Sequence, residues 1–276
     1  METLVMKIPF LLPFQLLVCA LPAASIAQTK PEGSDQTPSA QTLVRNLDAI
    51  RLPSTSFTVE VKSTERPINE PARDIEFRLY AKTTSRTPSS RTFASLIAMK
   101  MPESDRNKLI LMRDAKVWFY DPRSQNATIL SAKQLWQHSF AADSLTVRIE
   151  EKYDARIAGS EMIETLDNGK KNCITVDLNP RGKRITASET VRYWLSREGR
   201  PYQSVYFAAS GKPLRTCRFG GYSEVLGAQR ATRIAVDDIK GVSSFHFSGF
   251  RATELPDSIF DPDNLPRLRI NADAHP

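Results

Sequence analysis

The stretch FTVEVK (residues 57–62) decides the fold class, because apolar and polar side chains alternate along it. A period of two indicates a half-buried β-strand. The pattern returns in IEFRLY (residues 75–80), and further strands follow at short intervals. Turns such as REGR (residues 197–200) and SGKP (residues 210–213) are short enough to make neighbouring strands antiparallel. The further predicted strands cover residues 93–101, 109–112, 116–120, 127–130, 173–178, 190–196, 202–208, 214–222, 230–236 and 242–251, which favours one large antiparallel sheet.

Two segments are predicted to be helical, one before the first strand and one that interrupts the strands. Thr37 suits an N-cap and Pro38 the first helical position, and Pro53 ends this helix. Residues 131–145 (SAKQLWQHSFAADSL) contain good helix formers. A helix of about ten residues is unstable alone in water, so each should lie against an apolar surface. The apolar face of the first helix, at helical spacing, consists of Ala40, Leu43, Val44, Leu47 and Ile50.

Residues 1–27 are predicted to be a secretory signal peptide. Lys7 supplies a positive charge, and residues 8–21 are almost purely apolar. This apolar run contains prolines and is shorter than the roughly 20 residues that span a bilayer. Small residues, Ser25 and Ala27, precede the cleavage site. The mature chain is therefore expected in the periplasm.

Domain boundaries follow from this cleavage. Residues 28–38 are polar and predict a flexible leader. Residues 39–268 form the folded domain, and residues 269–276 are expected to be a loose tail. Lipid attachment at Cys19 is disfavoured, because Val18 stands where a small residue is normal.

The formal net charge is +7. A basic balance can indicate nucleic acid, but the export signal and the scattered Arg and Lys residues argue against that partner. An anionic membrane surface or lipid headgroup is compatible, and so is a basic surface that only keeps the protein soluble. Cys173 and Cys217 remain after cleavage. Two strands are expected between them at about 4.8 Å per step, beyond disulfide reach, so free buried thiols are predicted.

Several motifs carry a resemblance to a known family. DAKVWFYDP (residues 114–122), followed by ATI (residues 127–129), and LPDSIFDP (residues 255–262) resemble the signature strand and closing turn of the outer-membrane lipoprotein-sorting, LolA-like family. YWL (residues 193–195) resembles its central hairpins. The resemblance covers residues 39–268, is closest to an uncharacterised branch, and implies a mainly β fold. That fold is an incomplete, half-open antiparallel β-barrel of about eleven strands, with helices covering its concave face.

The resemblance also implies a function, the non-enzymatic carriage or acceptance of lipid or lipoprotein acyl chains. Exposing a chain of about sixteen carbons costs on the order of 12 kcal/mol, at ~0.8 per CH₂, so transfer through water needs a shield. An inner-membrane transporter or another envelope protein is the implied protein partner, and the chain is expected to be a monomer.

Three alternatives remain beside the carrier. The same half-barrel resembles lipoprotein-sensing domains of periplasmic regulators. An outer-membrane β-barrel is disfavoured by charges on both faces of several strands. An enzyme is disfavoured because the three histidines lack metal-ligand spacing and no Gly-x-Ser-x-Gly, P-loop or GxGxxG motif is present. No catalytic residue, metal or cofactor is expected.

The predicted groove would be lined by one face of the strands and by the second helix. An ordinary filled core is the alternative for each residue alone, and a register error of one residue would exchange the two faces. Arginine suits lipid phosphate, so three arginines are candidates for headgroup binding at the groove mouth: Arg78, Arg91 and Arg192. The predicted lining consists of Phe57, Val59, Phe77, Leu79, Ile97, Met99, Trp118, Tyr120, Leu135, Trp136 and Phe140.

Overall fold

The computed structural model describes residues 37–87, 90–113, 116–130, 148–181, 190–268 and residue 270. The predicted signal peptide and Cys19, most of the leader and tail, and the predicted helix at residues 131–145 lie outside these residues. The same holds for the groove candidates Leu135, Trp136 and Phe140 and for the side chain of Arg91.

The described residues form fifteen strands, two α-helices and three 3-10 turns. The helices are α1 Ala40–Arg51 and α2 Ile149–Lys152, and the 3-10 turns are Glu103–Asp105, Asp257–Phe260 and Pro262–Arg267. The strands are β1 Phe57–Pro67, β2 Arg73–Thr87, β3 Ser90–Met101, β4 Leu109–Arg113, β5 Lys116–Asp121, β6 Asn126–Ile129, β7 Tyr153–Glu164, β8 Lys170–Pro180, β9 Thr190–Leu195, β10 Pro201–Phe207, β11 Pro213–Gly220, β12 Ser223–Val225, β13 Ala228–Arg230, β14 Arg233–Asp238 and β15 Gly241–Ala252.

Thirteen of these strands form one open antiparallel sheet, in the order β6-β5-β4-β3-β2-β1-β15-β14-β11-β10-β9-β8-β7. Strands β1 and β15, the first and last along the chain, are neighbours in the sheet, since Val61 pairs with Phe247 and Lys62 with His246. The sheet therefore consists of two meanders joined through the chain ends, with β6 and β7 as its edges. Strands β12 and β13 form a separate hairpin. The predicted mainly β, half-open architecture is confirmed, with thirteen sheet strands in place of about eleven.

The sheet curves strongly around α1. Leu79 of β2 and Tyr193 of β9 line the same small cavity, although five strands separate β2 from β9 in the sheet order. In a flat sheet these two strands would lie about 29 Å apart, at ~4.8 Å per step. Only a curled sheet brings them together, so one face is concave.

Helix α1 lies on this concave face and buries Leu43, Val44 and Leu47 there. Its start differs from the prediction, because the Ser39 hydroxyl, and not that of Thr37, accepts the N-terminal hydrogen bond, from the Thr42 amide. The helix ends before Pro53, as expected. Within the described ranges, no helix combines the length and hydropathy needed to cross a membrane.

The two resemblance motifs pack together on the convex face. Trp118 and Tyr120 of β5 join a buried cluster with Leu255, Phe260 and Leu265 of the C-terminal segment. Two hydrogen bonds from the sheet also hold the C-terminal segment. Lys82 donates to the Leu255 carbonyl at 2.7 Å, and Arg113 donates to the Phe260 carbonyl at 3.0 Å. These motifs therefore stabilise the sheet from outside.

Cys173 and Cys217 are buried free thiols, as predicted. Cys173 lies on β8 and Cys217 on β11, and β9 and β10 separate them. Burial, the largest influence on each, raises the pKa of both thiols to about 11. In the native protein at pH 8 we expect both to react with a thiol reagent at least about tenfold more slowly than an exposed cysteine of pKa ~8.5. In urea both should react without a reductant, and a requirement for reductant would show a disulfide.

Candidate functional site

A cavity of about 100 Å³ lies between α1 and the concave face of the sheet. Its wall is mostly apolar and rich in phenylalanine, with two arginines among the polar exceptions. It is lined by Ile50, Arg51, Pro53, Phe57, Val59, Leu79, Tyr193, Pro201, Phe219, Arg230, Ala231, Ile234, Phe247 and Phe250.

Six of the predicted lining residues lie on this concave face. Phe57, Val59 and Leu79 border the cavity itself. The other three, Phe77, Ile97 and Met99, belong to the same apolar cluster without bordering the cavity. Cross-strand pairing fixes this arrangement, since Val59 lies opposite Leu79 and Leu79 opposite Ile97.

Trp118 and Tyr120, the other two predicted lining residues that the structure describes, lie on the convex face. Trp118 pairs with Leu111 across β4 and β5. Leu111 in turn pairs with Leu96 of β3, which faces away from the cluster around α1. Both aromatic side chains are already packed under the C-terminal segment. Alternation along a strand defines two faces but does not say which one is concave.

Arg78 and Arg192, the two predicted headgroup arginines whose side chains the structure describes, lie on the convex face in ion pairs. Arg78 pairs with Glu60 at 2.5 Å, and its side chain is 4% exposed. Arg192 binds both carboxylate oxygens of Asp177, at 2.5 and 3.0 Å. Neither guanidinium faces the cavity, so neither is placed to bind a headgroup there.

Asp48, on the buried side of α1, anchors this helix through hydrogen bonds and an ion pair. Its carboxylate accepts the backbone N–H of Ile149 at 3.1 Å and of Glu150 at 2.9 Å, at the start of α2. It also accepts from Arg51 at 3.1 Å, and only 2% of the carboxylate side chain is exposed. Asp48 is not among the residues predicted from the sequence, although its position four residues after Val44 places it in the apolar stripe.

Arg230, at the end of the β12–β13 hairpin, also anchors α1 through hydrogen bonds. Its guanidinium donates to the carbonyls of Ala49, at 3.1 Å, and Ile50, in the last turn of α1. It also donates to Val225 at 2.9 Å and Leu226 at 3.5 Å within its own hairpin. A cation at a helix C-terminus is favourable because the helix dipole is negative there. No sequence signal marks this contact, which joins residues about 180 positions apart.

This arrangement resembles a closed lid over an apolar interior. Small-molecule sites are typically about 300–1,000 Å³, so the present cavity is too small for a long acyl chain. Among the described residues, no group of three or more His, Cys, Asp or Glu side chains could hold a metal ion.

Comparisons with known proteins agree with the fold. A family model described as an uncharacterized protein matches residues 92–267. A LolA superfamily protein from Nitrosomonas europaea has a similar structure (TM-score 0.67, 24% identity, covering 82% of this chain and 99% of that one). A Vibrio parahaemolyticus domain assigned to outer membrane lipoprotein sorting is also similar (0.70, 17%, 83% and 98%).

A third similar structure is a DUF1329 family protein from Desulfovibrio piger (TM-score 0.70, 15% identity, covering 82% of this chain and 97% of that one). No curated protein matches the sequence. The predicted resemblance to the LolA-like family is therefore confirmed for the fold.

Proposed function

This chain belongs to the family of uncharacterized proteins matched over residues 92–267, and we propose that it is a periplasmic, non-enzymatic carrier of lipid or lipoprotein acyl chains. The observation that carries this proposal is an amphipathic helix closed over a concave apolar face, with an apolar cavity beneath it. The helix moves aside, the acyl chain takes its place against the phenylalanine-rich wall, and the helix closes over it. The LolA-like fold supports the same function.

The energetics favour such a reversible lid. An acyl chain of about sixteen carbons gains on the order of 12 kcal/mol on leaving water. Opening α1 exposes Leu43, Val44 and Leu47, at a cost of about 1.5–3 kcal/mol for each side chain if fully exposed. The gain from the chain therefore exceeds the cost of exposing these three apolar side chains, and breaking the polar contacts of Asp48 and Arg230 adds to the cost of opening.

Native mass spectrometry tests this function on mature protein purified from periplasm without detergent. A bound acylated species, identified by lipid extraction, is expected. A protein that is empty as isolated and also takes up no added palmitate or phospholipid would overturn the proposal.

Filling the cavity gives a more specific test. Ala231 borders the cavity, and Ala231→Phe would place a ring in its roughly 100 Å³. Overpacking costs about 1–3 kcal/mol, so we expect affinity for an acyl chain to fall by about tenfold, measured by displacement of a fluorescent fatty acid. Ala231→Ser, which scarcely changes the volume, should bind as the parent does. Unchanged affinity in a folded Ala231→Phe would place the acyl site elsewhere, and equal loss in both variants would show that the added volume is not the cause.

An interaction domain that senses lipid is the second candidate, and an exposed apolar surface favours it. Ile68 and Ile239, at the ends of two adjacent hairpins, are 68% and 64% exposed. The hairpin ends are joined, since the Ile68 amide donates to the Lys240 carbonyl at 2.8 Å. Exposed apolar surface on soluble proteins often marks interaction sites. Crosslinking in the periplasm separates the candidates, because an inner-membrane transporter indicates carriage and a membrane-embedded regulator indicates sensing.

A further inference from the structure

We infer that the groove selects amphiphiles with an anionic head, a carboxylate or phosphate joined to an acyl chain, and that Arg230 binds this head. The inference rests on the proposed function and adds the chemical class of its ligand. Neither the fold nor its relatives assign a headgroup site.

Arg230 places a positive charge at the wall of the apolar cavity. The side chain is buried, with 7% of the residue exposed, and it borders the apolar cavity. Its hydrogen bonds go to four backbone carbonyls. Among the residues that the structure describes, no carboxylate lies within salt-bridge distance of it. Burial lowers the pKa of this guanidinium, and Glu224 opposes the shift only through longer-range attraction.

A buried charge compensated by carbonyl dipoles alone is costly compared with one paired to an anion. The negative end of the α1 dipole provides part of the compensation. Arg230 therefore lies at the cavity wall with a net positive charge and an apolar neighbourhood, which is the environment that strengthens a bond to an anion.

Opening of the groove changes the hydrogen bonds of Arg230. Two of the four carbonyls, those of Ala49 and Ile50, belong to the last turn of α1 and leave with the helix. The other two, of Val225 and Leu226, belong to the same hairpin as Arg230 and hold its guanidinium in place. Opening thus exposes donors at a fixed position on the wall. A carboxylate or phosphate satisfies both the donors and the charge, whereas an uncharged head satisfies neither fully.

The other cavity arginine is less suited to this role. Arg51 belongs to α1 itself, and Asp48 on the same helix accepts its hydrogen bond at 3.1 Å. It moves with the lid and carries its counter-ion with it. Arg230 is held by carbonyls of its own β12–β13 hairpin and not by α1 alone, so it is the residue assigned to the ligand head.

The test compares three ligands with the same sixteen-carbon chain on the mature protein: palmitate, 1-palmitoyl lysophosphatidate and 1-monopalmitoylglycerol. Affinities are measured by displacement of a fluorescent fatty acid, below the aggregation concentration of each ligand. The wild type is expected to bind the two anions at least about tenfold more tightly than the glycerol ester, as for a hydrogen bond to a charged group. Arg230→Met should remove this preference and retain binding of the ester, and Arg230→Lys should keep most of it.

Arg218→Met is the matched control. Arg218 is exposed and lies on β11 next to Cys217, with its side chain on the opposite face of that strand. The Arg218→Met variant should keep the preference for anions unchanged. The stronger anion identifies the source, a free fatty acid for palmitate or a phospholipid for lysophosphatidate. Equal wild-type affinity for all three ligands, or an unchanged preference in a folded Arg230→Met, overturns the headgroup site and leaves the carrier function standing. Binding of none of the three contradicts the carrier function itself.

Discussion

Gly199→Ala is expected to lower the free energy of unfolding by about 2–5 kcal/mol. Gly199 lies in the β9–β10 turn with φ +86°, a conformation that costs L-residues roughly 1–2 kcal/mol. An added Cβ would also stand 2.6 Å from Asn46 Cβ and 2.9 Å from the Leu43 carbonyl, both on α1. Neither the turn nor the helix backbone can yield easily, so overpacking adds about 1–3 kcal/mol.

Gly211→Ala is the matched control for this substitution. Gly211 occupies the next turn, between β10 and β11, with φ +79°, and nothing lies within 4 Å of the position of an added Cβ. The control carries the conformational cost without the contact to α1. Urea unfolding followed by tryptophan fluorescence measures both. Equal destabilisation of the two variants would show that α1 is not seated against the β9–β10 turn.

The same pair of variants connects stability to the lid. Because the added methyl group presses on Leu43 and Asn46, it should push α1 away from the sheet and leave the strands paired. The Gly199→Ala protein is therefore expected to exchange bound acyl chains faster than the Gly211→Ala protein does. The β9–β10 turn, which the sequence predicts only as a tight reversal, thus acts as a seat for the helix.

The strands and the fold could be predicted from the sequence because half-buried strands alternate. The segment from Phe57 to Lys62 and the short turns after β9 and β10 specify antiparallel neighbours locally. The family-like motifs around Trp118 and Phe260 predict the half-open barrel. In the structure these two motifs pack against each other. Their role is to cover the convex face, which explains why they indicate the fold well and the ligand site poorly.

The face of each strand could not be predicted, because it depends on pairing between distant segments. The β1–β15 pairing joins the two ends of the domain, and no turn between them fixes its register. Alternation alone placed Trp118 beside Phe57 in the predicted groove, and the register places them on opposite faces. Arg230 was missed for a similar reason, since its meaning comes from carbonyls about 180 residues away.

Asp48→Ala is expected to lower the free energy of unfolding by about 3–5 kcal/mol, the usual cost of breaking a buried charge pair. The substitution leaves Arg51, whose side chain is 10% exposed, without this carboxylate. It also removes the acceptor for the backbone N–H groups of Ile149 and Glu150, each of which then stays unsatisfied or must be reached by water. An unsatisfied buried donor costs about 1–3 kcal/mol.

Arg45→Ala provides the control, because Arg45 joins the same two helices through an exposed contact. It pairs with Glu150 at 3.1 Å with 61% of its side chain exposed, and such pairs contribute about 0–1 kcal/mol. Adding Arg51→Met to Asp48→Ala should recover part of the loss, because it removes the cation that was left without its carboxylate. Denaturant unfolding of the three variants and the parent protein measures these differences. If Asp48→Ala cost no more than Arg45→Ala, water would reach the Asp48 carboxylate, and α1 would rest open over the groove in solution instead of closing it.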